Sequence, residues 1–327
     1  MRVLSGIQSS GKLHLGNYLG AMRQHIELQE AHDCFFFIAN YHSLTTVQEA
    51  ATLRGLTLDV ALDYLALGLD PKKAKLFRQS DVPEVTELAW ILSTVTGMGL
   101  LERATSYKDK VAKGISPSMG LFSYPLLMAA DILIYRSDWV PVGKDQVQHI
   151  EMTQDMAGYF NSTFGREVLK RPEAKLNEAM IVPGVDGQKM SKSYGNAINL
   201  FDPSADTKKR IMSIKTDSTP VADPKNPETC NVFALYRLLA RPEEVSTLRE
   251  RYVKGGMGYG EAKTMLAEVV ERVLGPARER RAALVKDSDY VEDVLVTAGR
   301  RARAVAQEVM GDVRDACGIV TANGTPA

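Results

Sequence analysis

Lys189 and Lys192 stand three positions apart in GQKMSKSYGN (residues 187–196), a stretch with one methionine and little else to bury. Most short lysine- and serine-rich stretches are solvated loops, yet lysine is also a movable point charge, so the pair raises the question of what it meets. A second polar cluster lies near the start, where Gly6, Gly11 and Gly16 are interleaved with Gln8, Ser9, Ser10, His14 and Asn17 ahead of a helical pattern. The amides of a glycine-rich turn and of a helix start attract anions. The spacing fits neither GxGxxG nor GxxxxGKS/T, which disfavours a dinucleotide fingerprint and a P-loop. A third group, Tyr124, Met128 and Asp131, falls at i, i+4 and i+7, hence on one helix face among apolar neighbours. A carboxylate buried alone costs several kcal/mol, so Asp131 needs a protein cation or a ligand donor.

These groups need a frame to bring them together. An apolar run from Arg2 to Leu4 leads into the glycine loop, after which Leu15, Leu19, Met22 and Ile26 recur at helical spacing. The continuous run CFFFIA (34–39) predicts a strand buried on both faces, and a leucine-rich helix follows, closed by Gly68 and Pro71. AKLFRQS (74–80) is a third strand, and the helix EVTELAWILSTVTG ends at Gly97. This alternation predicts an α/β fold, a doubly wound parallel sheet whose ligand crevice lies at the carboxyl ends of the strands, beside residues 5–17. Residues 98–123 break the rhythm and read as an insertion; helix YPLLMAADILIY, strand WVPVG and helix KDQVQHIEMTQDMAGYF resume it. The sheet domain is expected over 1–200, a helical domain over 201–315, and a frayed tail over 316–327.

Composition bounds the function. With 327 residues and 40 basic against 40 acidic side chains, the chain has room for about two domains. No apolar run approaches the roughly 18 residues of a membrane span, and MRVLSGIQ lacks the pattern of a signal peptide, so a cytoplasmic protein is expected. Cys34, Cys230 and Cys317 form no CxxC pair, which suggests neither a disulfide framework nor a zinc site. Balanced charge argues against a nonspecific nucleic-acid coat but leaves room for a local basic face that meets one folded RNA.

HLGN (14–17) and KMSKS (189–193), in this order on this architecture, resemble the two signature motifs of class I aminoacyl-tRNA synthetases. SGIQSSGKLHLGNYLGA (5–21), YPLLMAADILIY (124–135), VPVGKDQVQHIE (140–151) and KTDS (215–218) are similar, in order and spacing, to the bacterial tryptophanyl enzymes over nearly the whole chain. The resemblance implies a tryptophan–tRNA ligase that forms tryptophanyl-adenylate and pyrophosphate from ATP, then esterifies tRNA(Trp) at the ribose 2'-hydroxyl. It implies catalytic roles for Lys189, Lys192, His14 and Lys110. It sets Gln8, Ser9, Ser10, Gly16 and Asn17 around the phosphates and adenosine, Gly143, Lys144 and Asp145 at the ribose, and Ile181 beside the adenine. Met190, Ser191 and Ser193 belong to the same nucleotide loop. Asp131 would receive the indole N–H and Met128 pack on the ring; Tyr124 and Gln146 lie near the polar end of the amino acid, and His42, Val140 and Val142 line the pocket. Magnesium is implied with ATP, held chiefly by phosphates and water rather than by dedicated protein ligands. A homodimer is expected, with the insertion close to its interface.

The residue chemistry agrees. An indole offers one donor and a large apolar face, and a site built around that donor rejects phenylalanine by roughly 10^4 to 10^5. Attack of a carboxylate on the α-phosphate throws charge onto the departing pyrophosphate, which movable lysines stabilise. Gly184, Gly187 and Gly195 are expected to let the lysine loop swing. Leu4 and Ser9 depart from the family pattern, softening a pocket wall and loosening the first loop. The basic runs ARERRAALVK (277–286) and GRRARAV (299–305) become candidates for contacts with the tRNA backbone. Two rivals stand beside this reading: the tyrosyl homologue, and a paralogue that binds RNA or nucleotide without aminoacylating.

Overall fold

The computed structural model describes residues 1–9, 11–104, 118–176 and 182–319. Five parallel strands, β1 (Arg2–Ile7), β2 (Asp33–Ile38), β3 (Ala74–Arg78), β4 (Trp139–Val142) and β5 (Glu173–Leu176), form one sheet in the order β3-β2-β1-β4-β5. The doubly wound architecture is therefore as expected. The chain winds outward from β1 to β3, then returns to lay β4 on the other side of β1. The strand order reverses there, and the loops that leave the carboxyl ends of β1 and β4 splay apart into a crevice.

The run in β2 is apolar throughout because both faces are covered. Cys34, Phe36 and Ile38 join one buried cluster, while Phe35 and Phe37 join another on the opposite face. β5 was not anticipated: its Glu-Ala-Lys-Leu sequence is mostly exposed, and an edge strand can pair through its backbone without an apolar signature. β3 stops at Arg78, and Gln79–Asp81 forms a 3-10 turn instead of the strand's last residues. The helix expected from Tyr124 begins at Met119, where the Ser118 hydroxyl caps it by accepting from the Leu121 N–H. The end of the predicted insertion thus belongs to this helix.

Beyond residue 202 the described structure is helical, as predicted. Helix Tyr259–Lys286 packs on helix Ala50–Leu67 beneath one sheet face. The final helix, Ser288–Cys317, crosses β3 on the other face and buries Ala302, Ala306 and Val309 against the cluster that holds Phe77 and Leu88. It continues two residues into the expected tail. Gly299 on this helix lies against Asp81, where a Cβ would come within 2.8 Å of that side chain, and Glu292 pairs with Arg78 at 2.7 Å. Both hydrophobic clusters therefore run from the sheet into the helical region. Among the described residues no helix is long and apolar enough to cross a membrane.

Candidate active site

A cavity of about 330 Å³ opens at the carboxyl ends of β1, β2 and β4. That is enough for one small ligand. The cavity brings together His42, Tyr124, Met128, Asp131, Val140 and Gln146, six of the seven residues expected to contact the amino acid. Val142 is the exception: it packs in the apolar cluster behind but is not among the lining residues. Leu4 supplies an aliphatic wall, and Phe37 lies so close over Gly6 that any side chain at position 6 would collide with its ring.

Asp131 is only 2% exposed, yet its carboxylate borders the cavity. It is hydrogen bonded to His42 Nε2 at 2.9 Å, and Gln79 Nε2 donates to both of its oxygens at 2.9 Å. Burial raises the pKa of Asp131 above the ordinary carboxylate value, and the bonds from His42 and Gln79 oppose that rise. The required partner is thus a histidine and an amide. His42 lines the pocket and also holds Asp131, so it combines a place at the cavity with a structural hydrogen bond. Gln79 was missed, although a polar residue just beyond the carboxyl end of a parallel strand was a usable signal. His149, hydrogen bonded to the Tyr124 hydroxyl, was missed too. Burial pushes the Tyr124 phenol up to about 12.

The first loop leads from β1 to the helix over residues 15–28. Ser9 is buried, with its hydroxyl 2.9 Å from that of Ser43 and accepting a 3.5 Å bond from Thr57. The loop is therefore anchored at Ser9 rather than loosened as expected. Asn17 Oδ1 accepts from the His14 N–H at 3.0 Å, closing the turn. A Cβ on Gly16 would stand 2.9 Å from the His14 ring, so glycine is dictated by this close approach. Burial, and secondarily the charge of Lys192, lower the His14 pKa to about 4. The imidazole is therefore neutral at pH 7, and its Nδ1 is buried without a hydrogen-bond partner among the described residues. Gln8 is exposed at the crevice and donates to His42 O at 3.3 Å.

The lysine loop is folded against this turn. Leu15 N–H donates to Ile198 O at 2.9 Å and Leu200 N–H to Leu13 O at 3.1 Å, so the two signature motifs are neighbours. Lys192 Nζ lies beside Gly11, whose φ is +124°, and desolvation lowers its pKa against the opposing pull of Asp63. Asn196 organises the loop from inside. Its Oδ1 accepts from Ser191 N–H at 2.8 Å, while its Nδ2 donates to Asp186 at 2.8 Å and to Lys189 O at 3.2 Å. Gly184 is buried directly against Asn196, leaving no room for a Cβ. Its role is close packing rather than the expected freedom to swing. The Met190 side chain is core, and its N–H donates to Val182 O at 2.9 Å. The Ser191 and Ser193 hydroxyls pair at 2.8 Å, and Lys189 is exposed at the tip. Gly143 caps the 3-10 turn Lys144–Gln146 at the end of β4, with Lys144 exposed. Ser10, Lys110 and Ile181 lie outside the described residues, as does the side chain of Asp145.

Most of the first basic run is spent inside the molecule. Arg281 binds Asp63 at 2.6 Å and Asp59 at 2.5 Å, Arg280 donates to Ala66 O at 2.7 Å, and Arg278 donates to Leu200 O at 3.1 Å. In the second run Arg303 pairs with Glu84 at 2.7 Å, whereas Arg300 and Arg301 are exposed. Among the described residues no group of three or more His, Cys, Asp or Glu side chains is arranged to hold a metal ion.

A neutral histidine on a tight turn, a lysine loop against it and a buried carboxylate at an apolar cavity suit activation of an amino acid by a nucleotide. The family described as tRNA synthetases class I (W and Y) matches residues 1–275. The chain belongs to that family. Two relatives extend the similarity to the full length: the tryptophan–tRNA ligase of Rhodopirellula baltica is 54% identical over 98% of this chain and 100% of its own, and that of Fusobacterium nucleatum 52% identical over 98% of each. Among solved structures, the tryptophanyl-tRNA synthetase of Campylobacter jejuni complexed with ADP and tryptophan is similar with a TM-score of 0.92 at 48% identity, covering 97% of this chain and 100% of that one.

Proposed function

We propose that this chain is a tryptophan–tRNA ligase that activates L-tryptophan with ATP and transfers it to tRNA(Trp). The observation that carries this reading is Asp131, a buried acceptor at the wall of an apolar cavity next to the motif turn. The full-length similarity to tryptophan–tRNA ligases supports it.

In this mechanism the indole N–H donates to Asp131 and the ring lies on Met128, while Tyr124 and Gln146 hold the polar end. ATP lies along the first loop, with Gln8, Gly16 and Asn17 around it and Gly143 to Asp145 at the ribose. A tryptophan carboxylate oxygen attacks the α-phosphorus, and the bond to the pyrophosphate oxygen breaks. Neutral His14 offers an N–H donor to the phosphates, and Lys189 and Lys192 take up the charge that grows on the leaving group. Magnesium would come with the nucleotide and, when bound, would supply positive charge against the phosphates; no cluster of His, Cys, Asp or Glu among the described residues is arranged to hold it. The 2'-hydroxyl of tRNA then attacks the aminoacyl carbonyl and AMP departs.

Residues 1–200 act as the catalytic domain and the helical region as the tRNA-binding domain, with exposed Lys286, Arg300 and Arg301 among its cationic candidates. The chain works as a homodimer in the cytoplasm, beside its tRNA. Trp90, Met98 and Met119 support the dimer as large apolar side chains that are 72%, 66% and 75% exposed, on helices of which the one carrying Met119 contacts the other two. The test is ATP–pyrophosphate exchange and tRNA charging with tryptophan and tyrosine supplied separately. Tryptophan-dependent exchange is expected, and a preference for tyrosine overturns the reading.

A further inference from the structure

Gln79 is 1% exposed and sits where three elements meet: the end of β3, the short helix Asn40–Ser43 after β2, and helix Met119–Leu133. Its Oε1 accepts from the backbone N–H groups of Tyr41 at 3.0 Å and His42 at 3.4 Å. Those two donors settle which way the amide faces, because a flipped amide would oppose N–H to N–H. Nε2 is thereby aimed at Asp131 and donates to both carboxylate oxygens. Two bonds from one planar amide fix the rotation of the carboxylate about its own axis, which a single bond from His42 leaves open.

The chemical type matters as much as the geometry. An arginine in this position would grip both oxygens as a fork and cancel the charge. An amide is neutral, so the carboxylate keeps its charge and its capacity to accept one more bond from the cavity. A buried acceptor held in one orientation binds a donor at one place only, and that is what discriminates ligands that carry the donor from those that lack it.

We propose that Gln79 is a specificity-determining positioning residue, which holds Asp131 as a fixed acceptor for the indole N–H. The proposal rests on the reading that Asp131 receives that N–H. Gln79 does not touch the substrate; it acts through Asp131.

The experiment compares wild type, Gln79→Met, Gln79→Glu, Asp131→Asn and the double variant Gln79→Met/Asp131→Asn in ATP–pyrophosphate exchange. The amino acids are tryptophan and benzothienylalanine, in which sulfur replaces the indole N–H. Methionine preserves shape without hydrogen bonds, and glutamate preserves the acceptor for Tyr41 and His42 but sets a second carboxyl against Asp131, so that the two share a proton and Asp131 is no longer the plain acceptor of the wild type. Both single Gln79 variants are expected to raise KM for tryptophan by roughly 10- to 100-fold, the worth of a bond to a charged group. They should narrow the preference for tryptophan over the sulfur analogue, with KM for ATP nearly unchanged. In the double variant, loss of Gln79 should add little to loss of Asp131, since one residue works through the other. If both Gln79 variants keep wild-type preference while Asp131→Asn loses it, Gln79 is not the positioning group and the Asp131 reading stands. If Asp131→Asn keeps the preference, that reading fails and takes the proposal with it. Additive losses in the double variant, or a KM for ATP that rises in parallel, assign Gln79 a general structural role and overturn the proposal.

Discussion

The ammonium nitrogen of Lys192 lies 3.5 Å from the point where a Cβ on Gly11 would stand. The first loop and the lysine loop are therefore in contact at this point. Gly11 also carries a positive φ of +124°, a conformation that alanine adopts only with strain. Gly11→Ala should cost about 1–2 kcal/mol in denaturant unfolding, and it should slow ATP–pyrophosphate exchange more than it raises KM for tryptophan.

Lys192→Ala should reduce the exchange rate by roughly 10^2 to 10^3, with weaker effects on tryptophan binding, because its charge is needed late in the reaction. An unchanged rate in steady-state exchange would count against the loop mechanism. The same variant has a spectroscopic signature. Lys192 is the lesser of the two causes that lower His14, so an NMR titration should find the imidazole pKa raised in the variant, though still below 6.5 because burial remains.

Asn196→Ala removes the partner of the Ser191 N–H and the clamp on Lys189 O together. A buried donor left unpaired costs about 1–3 kcal/mol. The variant should unfold earlier by about that amount, and amide hydrogen exchange should rise at Ser191 while β2 stays protected. Retained protection at Ser191 would mean that the loop is held by something other than this side chain.

The dependence of stability on pH follows from groups with opposite shifts. His14 and His25 are both lowered by burial to about 4 from 6.5. The unfolded chain binds their protons first, so stability is unaffected above 6.5 and is lost as pH falls from 6.5 towards 4. Asp63 is raised to about 6 from 3.8 by burial, with Arg281 opposing. The folded state then binds the proton more tightly, so this group adds stability as pH falls from 6 towards 3.8. Urea unfolding should weaken between pH 6.5 and 4; His25→Leu should flatten that decline and Asp63→Asn should steepen it.

Sequence revealed what is local or repeated. β2 was legible because burial on both faces makes every residue apolar, and the lysine pair because its types and spacing are unusual for a loop. β5 was not legible, since an edge strand needs only backbone pairing. Gln79 escaped because its partner lies 52 residues away and a single amide leaves no periodic trace. Ser9 and Met190 were singled out by their place in a motif, and motif membership did not disclose that their side chains are buried. The basic run 277–286 looked like a surface for RNA, yet Asp59, Asp63 and main-chain oxygens claim its arginines. Charge patterns do not disclose partners that are distant in sequence.

The last helix braces the turn that carries Gln79, through Glu292 on Arg78 and Gly299 on Asp81. Segments more than two hundred residues apart in sequence thus share one mechanical task. A chain cut before residue 288 would lose more than a platform for nucleic acid: with its outer strand left unsupported, it should also grow careless about which amino acid it admits.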